Sequence, residues 1–334
     1  MKVAIITGVT CYVGKKLCES LLQNEYEVHG ITKCNINLPE GHKNLHIYNT
    51  DVNDYLSILD FLKTFQKLPQ TEIYHFHGFD LFLETDTENI TRCVVSTIYI
   101  LQCIKLLKME TKIKFFQPHS TKIFGDVQEI PQKEITDFHP DNIHGICHLS
   151  TYWIVKYYRK KYNLFACNCI IYNVEGPSKP DRALSTQISR CIGHSKHILQ
   201  VGNLDSSRDW VYITDLLECV EKIMRYNESE DVIISSFESH TIREYIEIAF
   251  KQNDINIKWV GKGETEKGYN EKTKKLLVEV NTNLLKSDES NYLLGNNEKA
   301  LRLYDWKPKI EFTEMISYVV PKKTKKDNIF FSCC

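Results

Sequence analysis

The opening residues constrain this chain most. An apolar run from Val3 to Ile6 ends in Thr7-Gly8, and a helical pattern of Leu17, Leu21 and Leu22 begins just after Gly14. Strand, tight turn and helix in that order open a dinucleotide-binding βαβ unit, in which a cofactor pyrophosphate rests on the helix N-terminus. The spacing Gly8-x-x-Cys11-x-x-Gly14 is a Gly-x-x-Gly-x-x-Gly turn whose middle glycine is cysteine. Gly8, Cys11 and Gly14 are therefore candidate cofactor contacts. The Cβ and Sγ of Cys11 are expected to protrude where backbone would otherwise approach the phosphates.

Further apolar runs follow at Glu27 to Ile31, Leu45 to Tyr48, Glu72 to His77, Lys112 to Phe116 and Phe165 to Tyr172. Between them lie helical patterns at Tyr55 to Phe65, at Asn89 to Leu107, and around Tyr152, Trp153 and Tyr158. Strands alternating with helices predict an α/β chain with a Rossmann-type, doubly wound parallel sheet. After Asn173 the rhythm loosens. A helix from Ala183 to Gly193, a short strand at Ile198 to Val201, a helix from Asp215, and strands at Asp231 to Ser235 and Lys275 to Val280 remain legible. Thr241 with Glu244 forms a capping box for a helix to Phe250, and a last helix starts near Glu311. The charged stretch Lys262 to Lys275 reads as a loop. The expected organisation is a cofactor-binding domain over 1–173, with returning segments near 202–236. A smaller, discontinuous substrate lobe then covers mainly 174–320, and a basic tail covers 321–334.

Two residues after the second and third strands bear on the cofactor. Lys33 stands where a base meets a 2′-phosphate, which favours NADP, and Asp51 is placed to hydrogen-bond an adenine edge. The formal net charge of −1 points to no nucleic acid. No apolar run spans a bilayer, and the N-terminus reads as a strand rather than a signal peptide, so a cytoplasmic protein is expected. The twelve cysteines are scattered without a Cys-x-x-Cys pair, which suits free thiols better than a disulfide framework or a structural zinc site. His144 and His148, four apart on a helix, have the spacing of two metal ligands, but no third ligand is set by spacing and no metal is assigned. The tail Pro321-Lys-Lys-Thr-Lys-Lys326 runs on to Cys333-Cys334. It looks like a doubly prenylated terminus, but it carries no C-a-a-X box, and a frayed end with two thiols is the expectation rather than membrane contact.

Several blocks resemble one family, the GDP-mannose 4,6-dehydratases, which are extended short-chain dehydrogenase/reductases of the NAD-dependent epimerase/dehydratase superfamily. They include Val3-Ala-Ile-Ile-Thr-Gly-Val-Thr10, Tyr26-Glu-Val-His-Gly-Ile31, Tyr162-Asn-Leu-Phe-Ala-Cys-Asn168, Gly202-Asn-Leu-Asp205 with Arg208-Asp-Trp210, Leu277-Val-Glu-Val280 and Trp306-Lys-Pro308. The resemblance extends to about residue 320. It implies a tightly held NADP that oxidises the sugar C4 of GDP-mannose, loss of water across C5 and C6, and return of the hydride to C6. The product would be GDP-4-keto-6-deoxymannose, on the route to GDP-fucose.

The resemblance also implies where the chemistry sits and how it is altered. The family's Tyr-x-x-x-Lys falls on His144-Gly-Ile-Cys-His148, so both residues are histidine here. The run carrying the family's hydroxyl and its glutamate of elimination falls on His119-Ser-Thr-Lys122, which keeps Ser120 and puts Lys122 in place of the carboxylate. The small residues after the fourth strand become the bulkier His75-Phe-His-Gly-Phe-Asp80, which brings His77 to the cofactor edge, and the Arg-Arg after strand two becomes Lys33-Cys34. On the substrate side Asn173, Glu175, Arg190, Arg208 and Glu289 match, and Lys286 replaces an arginine. The ligand implied is GDP-mannose or a related GDP-sugar, and the assembly implied is a homo-oligomer or a hetero-oligomer with an active relative. Three readings follow: a ligand-binding but catalytically impaired dehydratase relative, a working dehydratase with His144 as base, and an interaction protein on the same fold.

Overall fold

The structure, a computed structural model, describes residues 2–33, 41–79, 87–193, 197–285 and 292–322. Cys34, Asp80, Lys286, Glu289, Cys333 and Cys334 lie outside them. The described chain divides into two compact units. One is Met1–Tyr172 with Ile213–Ile234 and Asn296–Lys307, and the other is Asn173–Tyr212, Ser235–Gly295 and the chain from Pro308. The first unit takes back Asn296–Lys307, a stretch that the sequence reading assigns to the substrate lobe.

In chain order the strands are β1 Val3–Thr7, β2 Glu27–Ile31, β3 Leu45–Tyr48, β4 Thr71–His75, β5 Ile113–Ser120, β6 Phe165–Ile171, β7 Asn173–Glu175, β8 Leu199–Val201, β9 Ser207–Tyr212, β10 Asp231–Ile234, β11 Ser239–Thr241, β12 Ile257–Val260, β13 Lys267–Asn270 and β14 Leu276–Val280. The helices are α1 Tyr12–Gln23, α2 Tyr55–Lys63, α3 Thr87–Leu106, α4 Ile143–Tyr162, α5 Leu184–Gly193, α6 Ile213–Arg225, α7 Ile242–Gln252, α8 Glu298–Tyr304 and α9 Phe312–Val319. Among the described residues no helix is long and apolar enough to cross a membrane.

The first unit is built on a seven-stranded sheet in the order β10-β6-β5-β4-β1-β2-β3. Every neighbouring pair in it is parallel. Helices cover both faces, and β1 and β4 are buried at every position, although β4 carries Glu72 and His75. Ile5, Ile73 and Phe115 of the sheet pack with Ile58 and Leu62 of α2 and Ile104 of α3. Between β1 and β4 the strand order reverses, the switch point at which open α/β sheets bind ligands.

The second unit carries two smaller sheets, β11-β9-β7 and β12-β13-β14-β8. Its core joins Trp210, Tyr245, Phe250 and Phe312. The Thr241–Glu244 capping box is present, with Thr241 Oγ1 accepting the Glu244 N–H at 3.0 Å and the Glu244 carboxylate accepting the Thr241 N–H at 2.8 Å. The supposed loop from Lys262 to Lys275 instead contains β13, which pairs antiparallel with β12 and β14. Its sequence, Lys-Gly-Tyr-Asn, has no apolar alternation, so only its two partners make it a strand. The nine cysteines among the described residues are all free thiols.

Candidate functional site

The turn after β1 is shaped by a close approach. Gly8 has φ +68°, and a Cβ there would stand 2.8 Å from the Phe76 carbonyl carbon and 2.9 Å from the His77 nitrogen, on the segment leaving β4. No side chain fits, so Gly8 is required by the switch point itself. Cys11 is the N-cap of α1. Its backbone N–H bonds Gly8 O at 2.9 Å, and its Sγ accepts the Gly14 N–H at 3.2 Å. The sulfur therefore folds back onto the helix N-terminus. It takes one of the N–H groups that such a turn otherwise offers to an anion.

At the ends of β2 and β3, Lys33 and Asp51 form an ion pair with each other. Asp51 also accepts the Asn53 N–H at 2.9 Å, and Asn53 Nδ2 reaches His77 Nε2 at 3.3 Å. Desolvation works to raise the Asp51 carboxyl, but the hydrogen bonds from Lys33 and Asn53 leave it below its ordinary value. Burial pushes His77 down to about 4, with Asp51 opposing and Arg92 and Lys33 adding to the shift.

His75, at the end of β4, is fully buried. Ser96 Oγ donates to Cys93 O at 3.1 Å and so accepts from His75 Nε2 at 3.1 Å, while Thr7 Oγ1 donates to His75 Nδ1 at 2.6 Å. This imidazole ties β1, β4 and α3 together as a neutral ring, its pKa pressed far down by burial and next by His77.

The four positions that the resemblance assigns to catalysis come from the end of β5 and the start of α4. Ser120 Oγ caps a short 3-10 turn, Thr121–Ile123, by accepting the Lys122 N–H at 3.3 Å. Asn142 caps α4 by accepting the Gly145 N–H at 2.9 Å. A Cβ on Gly145 would lie 2.3 Å from Lys122 O, so the absence of a side chain lets α4 start directly on that turn. This close approach places Ser120, Lys122, His144 and His148 in one local structure.

His144 and His148 are both buried, with Nε2 atoms 2.8 Å apart and ring centroids 4.6 Å apart. His119 packs edge-on to His148, centroids 5.7 Å apart, and Phe79 lies 6.4 Å from the same ring. Burial presses the His148 pKa well below its ordinary value, and His144 and then His119 press it further. His148 Nδ1 has no hydrogen-bond partner. A bare lone pair is cheaper to leave unpaired there than a buried N–H, so the proton belongs on Nε2, which donates to His144 Nε2. His144 is then an acceptor towards His148, and the nitrogen that would take a substrate proton is already engaged. Cys147 faces away, against Cys93 of α3.

A polar network unforeseen in the sequence begins one ring deeper. His119 Nε2 donates to Asn168 Oδ1 at 2.8 Å, and Asn168 Nδ2 donates to Asp231 Oδ1 at 2.9 Å. Asp231 also binds Arg159 at 2.8 Å, Lys156 at 3.4 Å and Tyr152 Oη at 3.0 Å. The available signal was Asn168 itself, an amide inside an apolar strand, which has to find partners.

In the second unit, Asn173 and Glu175 lie on β7, in register with Trp210 and Tyr212 of β9. Glu175 is buried and accepts from Ser185 Oγ at 3.0 Å; burial pushes its carboxyl up, against Lys179 at 3.9 Å. Arg208 on β9 is buried and donates to Ser207 O at 2.9 Å. Arg190, in the last turn of α5, pairs with Asp181 at 2.5 Å. Asp209, next to Arg208 in the same block, is turned inward. Its carboxylate accepts from Ser236 N and Oγ, both at 2.7 Å, from Phe237 N at 3.1 Å and from Gly295 N at 3.3 Å. Glu175 and Asp209 thus hold backbone and neighbouring side chains within this unit.

A model of the family described as GDP-mannose 4,6 dehydratase matches residues 5–319. The chain is 33% identical over 352 residues to GDP-mannose 4,6 dehydratase of Dictyostelium discoideum, covering 96% of this chain and 95% of that one. It is 32% identical over 338 residues to the enzyme of that name from Homo sapiens, covering 95% and 90%. Among solved structures, dTDP-glucose 4,6-dehydratase from Bacillus anthracis, in complex with NAD, superposes with a TM-score of 0.76 at 17% identity, covering 96% of each chain. A UDP-N-acetylglucosamine 4-epimerase from Methanobrevibacter ruminantium reaches 0.78 at 16% identity, covering 96% of this chain and 97% of that one.

Proposed function

This chain belongs to the GDP-mannose 4,6-dehydratase family, and from that membership we propose that it binds a GDP-sugar and a nicotinamide dinucleotide, NADP, while dehydrating GDP-mannose poorly or not at all. The observation that carries the reading is the buried His144–His148 pair, Nε2 to Nε2 at 2.8 Å. The resemblance calls for a base at position 144 and a fixed positive charge at 148. A ring held neutral by burial supplies no such charge, and it engages the lone pair of the candidate base. Lys122 adds a cation where elimination calls for a carboxylate. Each missing general acid or base costs about 100- to 10,000-fold in rate.

The residues present fit a dinucleotide at the glycine turn, with one reservation built into the chain. Gly8 leaves the backbone of the turn and the first N–H groups of α1 to face a pyrophosphate, and Cys11 Sγ withdraws the Gly14 N–H from that set. Lys33 is 58% exposed on its side chain, so it can leave Asp51 for a 2′-phosphate, which favours NADP over NAD. When bound, the cofactor would supply a hydride acceptor for the sugar C4. Asn173, Arg190 and Arg208 are the described residues proposed to meet the GDP-sugar, with Lys286 and Glu289 completing the set from outside the described residues. Trp153 and Tyr157 of α4, 56% and 55% exposed, are large apolar surfaces that favour an oligomer, with a copy of this chain or with an active relative. A cytoplasmic location fits a nucleotide-sugar ligand and free thiols.

Purified protein incubated with GDP-mannose and NADP, followed by mass spectrometry for a sugar nucleotide lighter by one water, tests this. No product together with a GDP-mannose-dependent rise in melting temperature supports the reading. Product formed at a rate that His144→Ala abolishes makes it an active dehydratase with a histidine base. Neither product nor a thermal shift leaves an interaction protein.

A further inference from the structure

Away from the glycine turn, β2 and β3 carry three metal-ligating side chains on one face of the sheet. Glu27 and His29 are two apart on β2 and so point the same way, and the parallel register sets His46 of β3 opposite His29. His46 Nε2 lies 3.2 Å from Glu27 Oε1, and His29 Nε2 lies 3.6 Å from the same oxygen. The third pair closes the triangle, since all three ligand atoms lie within 4.8 Å of one another. A tetrahedral ion with bonds of about 2.0–2.1 Å holds its ligand atoms about 3.3 Å apart. Two of the three edges already have nearly that length.

The rest of the site is arranged as a metal site requires. His29 Nδ1 is 3.1 Å from Tyr48 Oη, so its other nitrogen has an outer partner that orients the ring and leaves Nε2 facing Glu27. At 3.6 Å from the Glu27 oxygen, His29 Nε2 is too far for a good hydrogen bond, and the gap has room for an ion to bridge the two. The His29 ring is held edge-on against Phe65, centroids 4.7 Å apart. Side-chain exposure rises from 9% at His29 through 26% at Glu27 to 42% at His46, so the cluster opens to solvent on one side. That opening gives an ion its entry path and leaves a fourth position for water.

We propose that Glu27, His29 and His46 bind one divalent transition-metal ion of the zinc class, with water as the fourth ligand, and so clamp the edge strand β3 to β2. Two imidazoles and a carboxylate suit zinc-like ions rather than calcium or magnesium, which take oxygen ligands. β3 ends the sheet and is only partly buried along its length, so it has more to gain from such a clamp than any inner strand.

Cobalt(II) is the probe, because the chain's twelve cysteines could also take a soft metal. Full-length protein stripped with a chelator is titrated with cobalt and followed by visible and near-ultraviolet absorption. One equivalent with tetrahedral d–d bands and no thiolate charge-transfer band is expected, displaced by zinc, with a zinc-dependent rise in melting temperature that a chelator reverses. His46→Ala and Glu27→Gln, at solvent-reached positions, should abolish the bands and the zinc shift while the metal-free far-ultraviolet dichroism stays that of the parent. Bands that survive both substitutions, a thiolate band in the parent, or no binding at all would each overturn the proposal. In the last case Glu27 and His46 are simply polar neighbours at 3.2 Å.

Discussion

Two polar clusters are buried against the same strands, β5 and β6, and the same helix, α4, and they meet the cost of burial in opposite ways. Around Asp231 the charge is kept and answered. Desolvation works to raise its carboxyl, yet Arg159, the Asn168 amide and Lys156 together hold it below the usual carboxylate range. Around His148 the charge is given up. Its neighbours are the imidazoles His144 and His119, so burial is met by staying neutral. Asn168 joins the two, donating to Asp231 and accepting from His119. A buried site that needs a fixed cation must keep a counter-charge, as the Asp231 cluster does, and the His148 cluster has none among its described contacts.

The largest test of this contrast is to put the charges back. His144→Tyr, His148→Lys and Lys122→Glu together should raise GDP-mannose dehydration by about 100-fold or more, the value of one restored general acid or base. A triple variant that folds, binds ligand and turns over no faster would mean that the defect lies elsewhere, with Cys11 the next position to change.

On the charged side, Asp231→Ala should cost about 3–5 kcal/mol in urea unfolding, because it strands Arg159 and Lys156, takes the acceptor from Tyr152 Oη and leaves Asn168 Nδ2 only the Tyr152 carbonyl. A loss below about 1 kcal/mol would place this cluster with surface ion pairs, which contribute that little.

The two clusters also predict a pH response. His119 is pushed down to about 4 by burial, with its Asn168 hydrogen bond opposing. The unfolded chain, with a histidine pKa of about 6.5, binds a proton that the folded one refuses, so stability is full above about 6.5 and falls as pH drops towards 4. The His119 contribution amounts to about 3 kcal/mol across that window. Asp231, depressed in the fold, acts with the same sign at lower pH, below its unfolded value of about 3.9. Melting curves from pH 7 to 4 should show the histidine loss, and His119→Gln should make it shallower, with His75, His77 and His148 keeping the remainder. An unchanged slope would shift the response to other groups.

The smallest effect concerns the cofactor turn. Cys11→Gly frees the Gly14 N–H and should tighten NADP binding by about 1 kcal/mol, or about fivefold, in calorimetry. Weaker binding would mean that the sulfur cap organises the turn more than it blocks it.

Much of the frame was legible along the chain because its signals are local. The run into Gly8, the Thr241–Glu244 box, and the bounds of β2 and β3 follow from periodicity and capping, which neighbours in sequence decide. The histidine substitutions were legible too, and their spacing on α4 placed His144 beside His148. Polar β13 was not legible, because its pairing partners make it a strand. Nor were the buried hydrogen bonds of Asp209 and Glu175, whose partners come from other segments of the chain.

By itself the sequence determined a parallel α/β chain with a glycine turn after its first strand and, by resemblance, histidines where the family is expected to carry a tyrosine and a lysine. Only the tertiary structure decided what those histidines are. The charge state of a ring depends on how much water and which charges surround it, and for His148 that means burial beside His144 and His119, which comes from separate strands and helices. The meeting of His29 with His46 likewise depends on the register of two strands, which no local pattern specifies.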